Sequence, residues 1–411
     1  MAVAGAGCAS APKPAPAPAP VVARGVAAVE PAADPRPFGA ADTAFALDVL
    51  RAWCAEYPQQ NLVFSPSTLA SALGMAYLGA RGTTAQEMAA VLHLPTTSAA
   101  ALAAGLQARA EALADLDGPG VTLSASNEVW ADPSLPPLQA YLDAVATGYN
   151  AGVAQAPFST NPGEAADEIN KAISAATHGH ISQLVSPAML QGIGWVLTSA
   201  LYMDAAWATP FDPHQTASGS FTLAGGQQVT AKFMNGSGYS FATADGWTAV
   251  SLPYEGGKLS MIALLPPSAG GTCALPSQAA LQTMTAALTG SASNSAAADI
   301  SLPKVSLSTS GSMGDMKAVL EQLGMGQAFT AAADFTGLSK YASFLGFVQQ
   351  AATLQVGEKG TVGAAAAAAG VVASAARVAA PRTIVFDRPY LMLVTDTATG
   401  EPLFLAKVAN P

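Results

Sequence analysis

Residues 360–380 constrain the fold more than any other stretch: twenty-one positions hold one charge, Arg377, and no proline. They lie between the polar pair Glu358-Lys359 and Pro381. Turn formers are too few for an ordinary loop, and large apolar side chains are too few to anchor a core. Small side chains from Thr361 to Ala369 suit a chain that slides between two existing strands, because nothing on either face would clash. An exposed segment able to become a strand is ordinarily an aggregation hazard, so its presence points to strand formation as a function. Composition alone leaves a second reading open, an Ala-rich helix or a low-complexity linker.

The rest of the chain has ample material for a core, with 51% apolar and 11% charged residues, and its 411 residues could form one large domain or two or three ordinary ones. No apolar run reaches the roughly 18 residues a membrane span needs, so a soluble globular protein is expected. A net charge of −10 without any Lys/Arg cluster argues against nucleic acid as a partner.

Residues 1–10 and 11–37 read as a front piece. Gly5-Ala6-Gly7-Cys8 resembles the end of a bacterial lipoprotein signal, which would make Cys8 a lipid anchor tethering the protein to a membrane. The seven residues ahead of Cys8 lack Lys and Arg, so a start codon placed too late is expected; the alternative is an unprocessed tail. Residues 11–37, with Pro/Ala alternation and then Pro31, Pro35 and Pro37, read as a disordered, semi-rigid linker. Cys54 and Cys273 could pair, but spacing does not fix their separation, and two buried free thiols are the expected state.

From Phe38 to Pro411 no second low-complexity break or repeat occurs. Helical patterning covers Asp42–Glu56, Ser67–Leu78 behind the start signal Ser65-Pro66, Gln86–Leu92 and Ala99–Leu116. The period then changes to two, over Leu123–Trp130, Gly194–Met203, Gly219–Leu223, Thr248–Leu252, Leu259–Leu265, Asp299–Leu307, Thr383–Val385, Leu391–Thr395 and Pro402–Ala406. Helices first and strands later, without βαβ alternation, indicate an α+β fold in one domain, 38–411.

No catalytic constellation assembles. His178-Gly179-His180 could place two imidazoles on one face of a strand, but no Cys or acidic cluster completes a metal shell, so no metal is expected there. Gly236-Ser237-Gly238 has the wrong spacing for a nucleophile elbow. Gly256-Gly257-Lys258 lacks the remainder of a phosphate loop and reads as a hairpin turn. Ser10-Ala11-Pro12-Lys13 matches a Ser-x-x-Lys pattern only by chance, since it lies in the linker. The chain is read as a non-enzyme without cofactors.

Several motifs, in order, carry a resemblance over 38–411. They are Asn61-Leu62-Val63-Phe64-Ser65-Pro66, Leu78-Gly79-Ala80-Arg81-Gly82-Thr83-Thr84, Thr198-Ser199-Ala200-Leu201-Tyr202-Met203 and Leu302-Pro303-Lys304, with Asp387-Arg388-Pro389-Tyr390 and Leu403-Phe404-Leu405-Ala406-Lys407 closing the chain. With Trp207, Leu252-Pro253-Tyr254 and Leu265-Pro266 between them, the order and spacing resemble the serpins, serine protease inhibitors of the conformational trapping kind. The resemblance implies helices packed on a large, mostly antiparallel central sheet with smaller sheets and an exposed reactive-centre loop at about 358–382. With the tether it implies a cell-envelope member of bacterial kind, secreted or lipid-anchored, acting as a monomer outside the cytoplasm.

In that family the loop is bait. A serine protease cuts it, forms a covalent acyl-enzyme, and the loop enters the central sheet as a new strand. The resemblance assigns the hinge to Glu358, Gly360, Thr361, Val362, Gly363, Ala364 and Ala365, with Val362 in place of a usual glutamate and Gly363 in place of a usual alanine. Counting from Glu358 puts the reactive bond at Ser374-Ala375, suited to an elastase-like or subtilisin-like enzyme. Counting back from Pro389 puts it at Arg377-Val378, suited to a trypsin-like one. The fourteen residues from Thr361 to Ser374 would span roughly 45 Å as a strand. A polar latch beneath the sheet maps to Ser65, Thr68, Ser199 and Gln350, where the family usually has two serines, an asparagine and a histidine; four independently satisfied polar residues are the alternative. A serpin-fold binding protein without inhibitory action and an inhibitor of cysteine proteases remain alternatives.

Overall fold

The computed structural model describes residues 21–267, 271–289, 296–309, 311–341, 344–361 and 382–411. The helices among them are α1 (Arg36–Glu56), α2 (Pro66–Gly79), α3 (Gly82–Val91), α4 (Ala99–Ala114), α5 (Gln139–Tyr149), α6 (Pro162–Ala176), α7 (Gln278–Thr289) and α8 (Lys317–Leu323). The strands begin with β1 (Val21–Ala23), β2 (Leu62–Phe64), β3 (Val121–Ala131), β4 (Val153–Gln155), β5 (Trp195–Ala206), β6 (Ala217–Thr222), β7 (Gln228–Ala244) and β8 (Trp247–Pro253). They continue with β9 (Leu259–Leu265), β10 (Ala296–Pro303), β11 (Val305–Thr309), β12 (Val348–Gly357), β13 (Gly360–Thr361), β14 (Arg382–Val385), β15 (Tyr390–Asp396) and β16 (Pro402–Val408).

Two sheets organise the molecule. The central sheet runs β1-β4-β3-β5-β13-β12-β11, and the second runs β14-β10-β7-β8-β9-β15-β16-β2 with β6 on β7. Most pairs are antiparallel; β3 with β4, β5 with β12 and β10 with β14 are parallel. β9, β15 and β16 are buried at every position, their largely apolar runs being covered on both faces. The α+β expectation therefore holds, while α5, α6, α7, α8, β7 and β12 are elements the sequence patterning does not mark, and one expected strand divides. The single run expected over Asp299–Leu307 is two strands in different sheets, β10 and β11, divided at Lys304, whose amide donates to the Lys232 carbonyl.

Helices cover the central sheet on both faces. α2 starts at Ser65, whose hydroxyl accepts the Thr68 amide while Pro66 supplies a first-turn residue needing no donor. Its residues Leu69, Leu73 and Met75 join one core cluster with α1, α3 and α5. On the opposite face, Ile169 and Ile173 of α6 pack with Trp130, Val196 and Ala200. Alternation along β5 thus sends Ala200 toward α6 and Ser199 toward α2.

Two expectations about the front of the chain change. Cys54 and Cys273 are a disulfide with Cα atoms 5.8 Å apart, tying α1 to the segment before α7, rather than two free thiols. The linker expected through residue 37 gives way to docked chain from Val21: β1 pairs antiparallel with β4, and the amides of Val26, Ala28 and Glu30 donate to Asp143, Thr147 and Gln107. A Cβ at Gly25 would meet the Leu142 backbone at 2.2 Å, so glycine permits this close passage over α5. α1 begins at Arg36, six residues before the expected Asp42, with Pro at its first turn.

Candidate functional site

The seam between β5 and β12 is the feature that distinguishes this sheet. The two strands are directly paired from Leu197–Val348 to Leu201–Ala352. Above that stretch β13 lies between them: Gly360 and Thr361 pair with Ala206 and Ala205 on one side and with Gly357 and Val356 on the other. The first two residues of the small-residue segment are therefore already a strand of the central sheet.

Local contacts explain why the chain turns in at this point. A Cβ at Gly360 would lie 2.1 Å from the Ala205 carbonyl oxygen, so only glycine fits this close approach. Thr361 is fully buried, and its hydroxyl lies 2.5 Å from that of Tyr254, which stacks on Trp207. Trp207 donates from its amide to the Lys359 carbonyl and from Nε1 to the Gly357 carbonyl, while the Phe211 amide donates to the Glu358 carbonyl. Glu358 is held by Lys304 at 2.8 Å and accepts from the Thr216 hydroxyl at 2.9 Å. Burial works against its charge, but the bonds from Lys304 and Thr216 prevail and hold its carboxyl below the usual range.

Lower on the seam, the four residues expected to form a latch meet in one hydrogen-bonded chain. Ser199 donates to the Thr68 hydroxyl at 2.7 Å; Thr68 donates to the Ser65 carbonyl at 3.4 Å; and Gln350 Nε2 donates to that same carbonyl at 3.4 Å. All four are buried, and Ser199 pairs with Gln350 in the β5–β12 register. The chain extends to two groups not anticipated from sequence: Ser67, whose hydroxyl is 3.3 Å from that of Ser65, and Asn127, whose amide faces the Thr68 carbonyl. On the α6 side of the same strands, Trp130 Nε1 donates to the Thr198 hydroxyl.

Of the other expected residues, Val362, Gly363, Ala364, Ala365, Ser374, Ala375, Arg377, Val378 and Cys8 lie outside the described residues. His178 and His180 rest against the Tyr202 ring, at 4.7 and 5.1 Å between centroids. Gly256 and Gly257 take φ of +79° and +70° in the turn between β8 and β9, as a hairpin there requires. Lys304, Trp207 and Tyr254 stood inside recognisable motifs; what sequence lacked was the long-range contact that gives each its place.

A two-residue strand thus lies between β5 and β12 at one end of their paired seam, above a hydrogen-bonded chain tying that seam to a helix. Comparison with known proteins agrees with this geometry. The model of the serpin family, serine protease inhibitors, matches residues 40–411. An uncharacterized serpin-like protein of Thermococcus kodakarensis is 30% identical over 359 residues, covering 85% of this chain and 81% of that protein. The leukocyte elastase inhibitor of Bos taurus is 28% identical over 383 residues, covering 90% and 99%. Among solved structures, human thyroxine-binding globulin complexed with its hormone superposes with a TM-score of 0.78 at 26% identity, covering 92% of this chain and all of that one. The chain belongs to the serpin family.

Proposed function

We propose that the protein is a suicide-substrate inhibitor of serine proteases, consumed in its reaction rather than turning over. The observation that carries this reading is β13, the hinge seated between β5 and β12 at the head of the seam the severed loop must enter. In the proposed sequence the protease serine attacks the Ser374 carbonyl carbon, the Ser374-Ala375 bond breaks, and the amine of Ala375 leaves with the proton. An ester to the enzyme remains. The chain behind Thr361 then extends β13 down the seam, separating the pairs from Leu201–Ala352 to Leu197–Val348. Each new ladder bond contributes about 1 kcal/mol net, so a strand of this length gives a downhill step on the order of 10 kcal/mol. That is enough to pull the enzyme's catalytic groups out of register before water reaches the ester.

The hydrogen-bonded chain of Ser65, Thr68, Ser199 and Gln350 serves as the latch, since it binds both strands of the seam to α2 and must rearrange for the sheet to open. Small side chains before Ser374 suit elastase-like or subtilisin-like targets, and the bovine relative is named for inhibiting leukocyte elastase. The Cys54–Cys273 disulfide supports an extracellular or cell-envelope location, where disulfides persist. Lipidation of Cys8 would tether it there, and a mass for the native protein with unmodified Cys8 would remove the tether.

Incubation with pancreatic elastase and with trypsin, followed by denaturing electrophoresis and N-terminal sequencing, tests the reading. A protease–inhibitor band surviving hot detergent, with a new terminus at Ala375, is expected from elastase. A stable complex whose released fragment begins at Val378 would move the reactive bond to Arg377. Clean cleavage without any complex would make the protein a non-inhibitory member of its family.

A further inference from the structure

Among the described residues the buried cations are Arg109 and Lys407. Arg109 lies between Asp42 and Glu401, whereas no ion pair reaches Lys407. Lys407 stands on β16, opposite Leu62 of β2 and Leu391 of β15, where strands cover it on either side. Its ammonium donates to the carbonyls of Pro58 at 2.7 Å and Tyr57 at 3.3 Å, and to Sγ of Cys54 at 3.1 Å. Its three protons are thus taken by two carbonyls at the end of α1 and by one sulfur. Carbonyls at a helix end carry only a fraction of a negative charge. Burial alone acts on the ammonium and pushes it down to about 8, so the charged form still prevails at neutral pH.

As half of the Cys54–Cys273 disulfide, the Cys54 sulfur is neutral. Reduced to a thiolate, it is the anion that Lys407 lacks. A neighbouring ammonium lowers the pKa of a thiol, and a disulfide whose reduced form is stabilised in this way is the stronger oxidant. Access favours the same outcome. Cys54 is 1% exposed, whereas Cys273 is part-exposed, in a segment that reaches the surface at Gly271. An incoming thiolate therefore meets Cys273 and expels Cys54, and a leaving thiol of lowered pKa departs faster.

We propose that Cys54–Cys273 is a thiol–disulfide exchange site for a dithiol reductant, with Lys407 holding the departing Cys54 sulfur as a thiolate. One reductant thiol, its proton lost to water, attacks Sγ of Cys273. The bond to Cys54 breaks, and its electron pair leaves on Cys54 Sγ. The second reductant thiol then attacks the mixed disulfide and releases Cys273, which takes up that thiol's proton. Two electrons have passed to the protein, and the reductant is left as its own disulfide. Opening the bond unties α1 from the segment ahead of α7, whose Ala274 and Leu275 pack on the core. The site is independent of the inhibitory reading, since it requires only the intact folded chain.

The full chain with Cys8→Ser, equilibrated at neutral pH in mixtures of reduced and oxidised dithiothreitol and analysed by alkylation and mass spectrometry, tests this. The chain with Lys407 is expected to be half reduced at about a tenfold lower ratio of reduced to oxidised reagent than Lys407→Met, a potential about 30 mV higher. Brief treatment with glutathione, quenched in acid, is expected to leave glutathione on Cys273. With Cys273→Ser added, Cys54 is the remaining thiol, and its absorbance near 240 nm is expected to show ionisation below the ordinary value of about 8.5, moving above it in Lys407→Met. Equal ratios with and without Lys407, glutathione on Cys54, or ionisation of Cys54 at or above about 8.5 beside Lys407 would each overturn the assignment. Should Lys407→Met fail to fold, the ionisation of Cys54 and the position of the glutathione in the chain that keeps Lys407 still decide.

Discussion

Ser199 on β5 and Gln350 on β12 face each other across the seam, and each is tied by a hydrogen bond to the first turn of α2. Neither strand can move off the other without disturbing α2. Ser199→Ala removes the bond to Thr68 at a buried site, a loss of about 1–2 kcal/mol. The intact variant is expected to melt lower than the parent and to convert faster, on warming, to a form with an uncleaved but inserted loop. Calorimetry and native electrophoresis read both effects. An unchanged melting temperature would show that the hydrogen bond does not hold the seam.

At the head of the seam, Glu358 binds Lys304 and Thr216 with its carboxyl held below the ordinary range. A carboxyl lowered on folding adds stability that is present above the ordinary Glu value, about 4.3, and is lost as pH falls through its lowered value. Acidification below about pH 4 is therefore expected to loosen the hinge, read as faster limited proteolysis of the loop. Glu358→Gln lacks this site's acid response and, because Lys304 is partly exposed, costs under about 1 kcal/mol at neutral pH. Identical acid sensitivity of proteolysis in parent and variant would contradict the role given to Glu358.

Thr361 has no room for a charge, being fully buried with its hydroxyl against that of Tyr254. Thr361→Arg is expected to expel β13 from the sheet in the intact protein and to stop insertion at its first step. Elastase should then cut the loop and depart, turning the inhibitor into a substrate. The ratio of complex to cleaved protein on a denaturing gel measures this, and undiminished covalent complex would contradict it.

The disulfide closes a loop across 219 residues of sequence. Its reduction is expected to lower stability by about 2–4 kcal/mol, as is Cys54→Ser, and dithiothreitol should have no further effect on that variant. Denaturant unfolding with and without reductant checks this. Equal midpoints for the parent under both conditions would show that the bond contributes nothing to stability.

Much of this architecture was legible because burial writes itself into pattern. β9, β15 and β16 are mostly apolar runs, broken only by Ser260, Thr395-Asp396 and Lys407, and Ser65-Pro66 announces α2. α5, α7, α8, β7 and β12 carry no expected span, and neither does α6, where small Ala165 and Ala166 dilute an apolar stripe otherwise made of Ile169 and Ile173. The division of β10 from β11 escaped notice because alternation does not record a change of sheet at Lys304. Chain ahead of α1 was hidden by its Pro/Ala surroundings, although the proline-free Val21-Val22-Ala23 was the signal for β1. Ser65, Thr68, Ser199 and Gln350 could be located from motif order, whereas the Cys54–Cys273 bond and the Glu358–Lys304 pair depend on distances that spacing does not encode.

The central claim is that the severed loop becomes an inner strand of the central sheet. Thermal unfolding of intact protein beside protein nicked within residues 362–381 tests it most directly. Completing β13 between β5 and β12 is expected to raise the melting temperature of the nicked form by on the order of 10 °C or more. Equal melting temperatures, with the loop fully severed, would contradict the account.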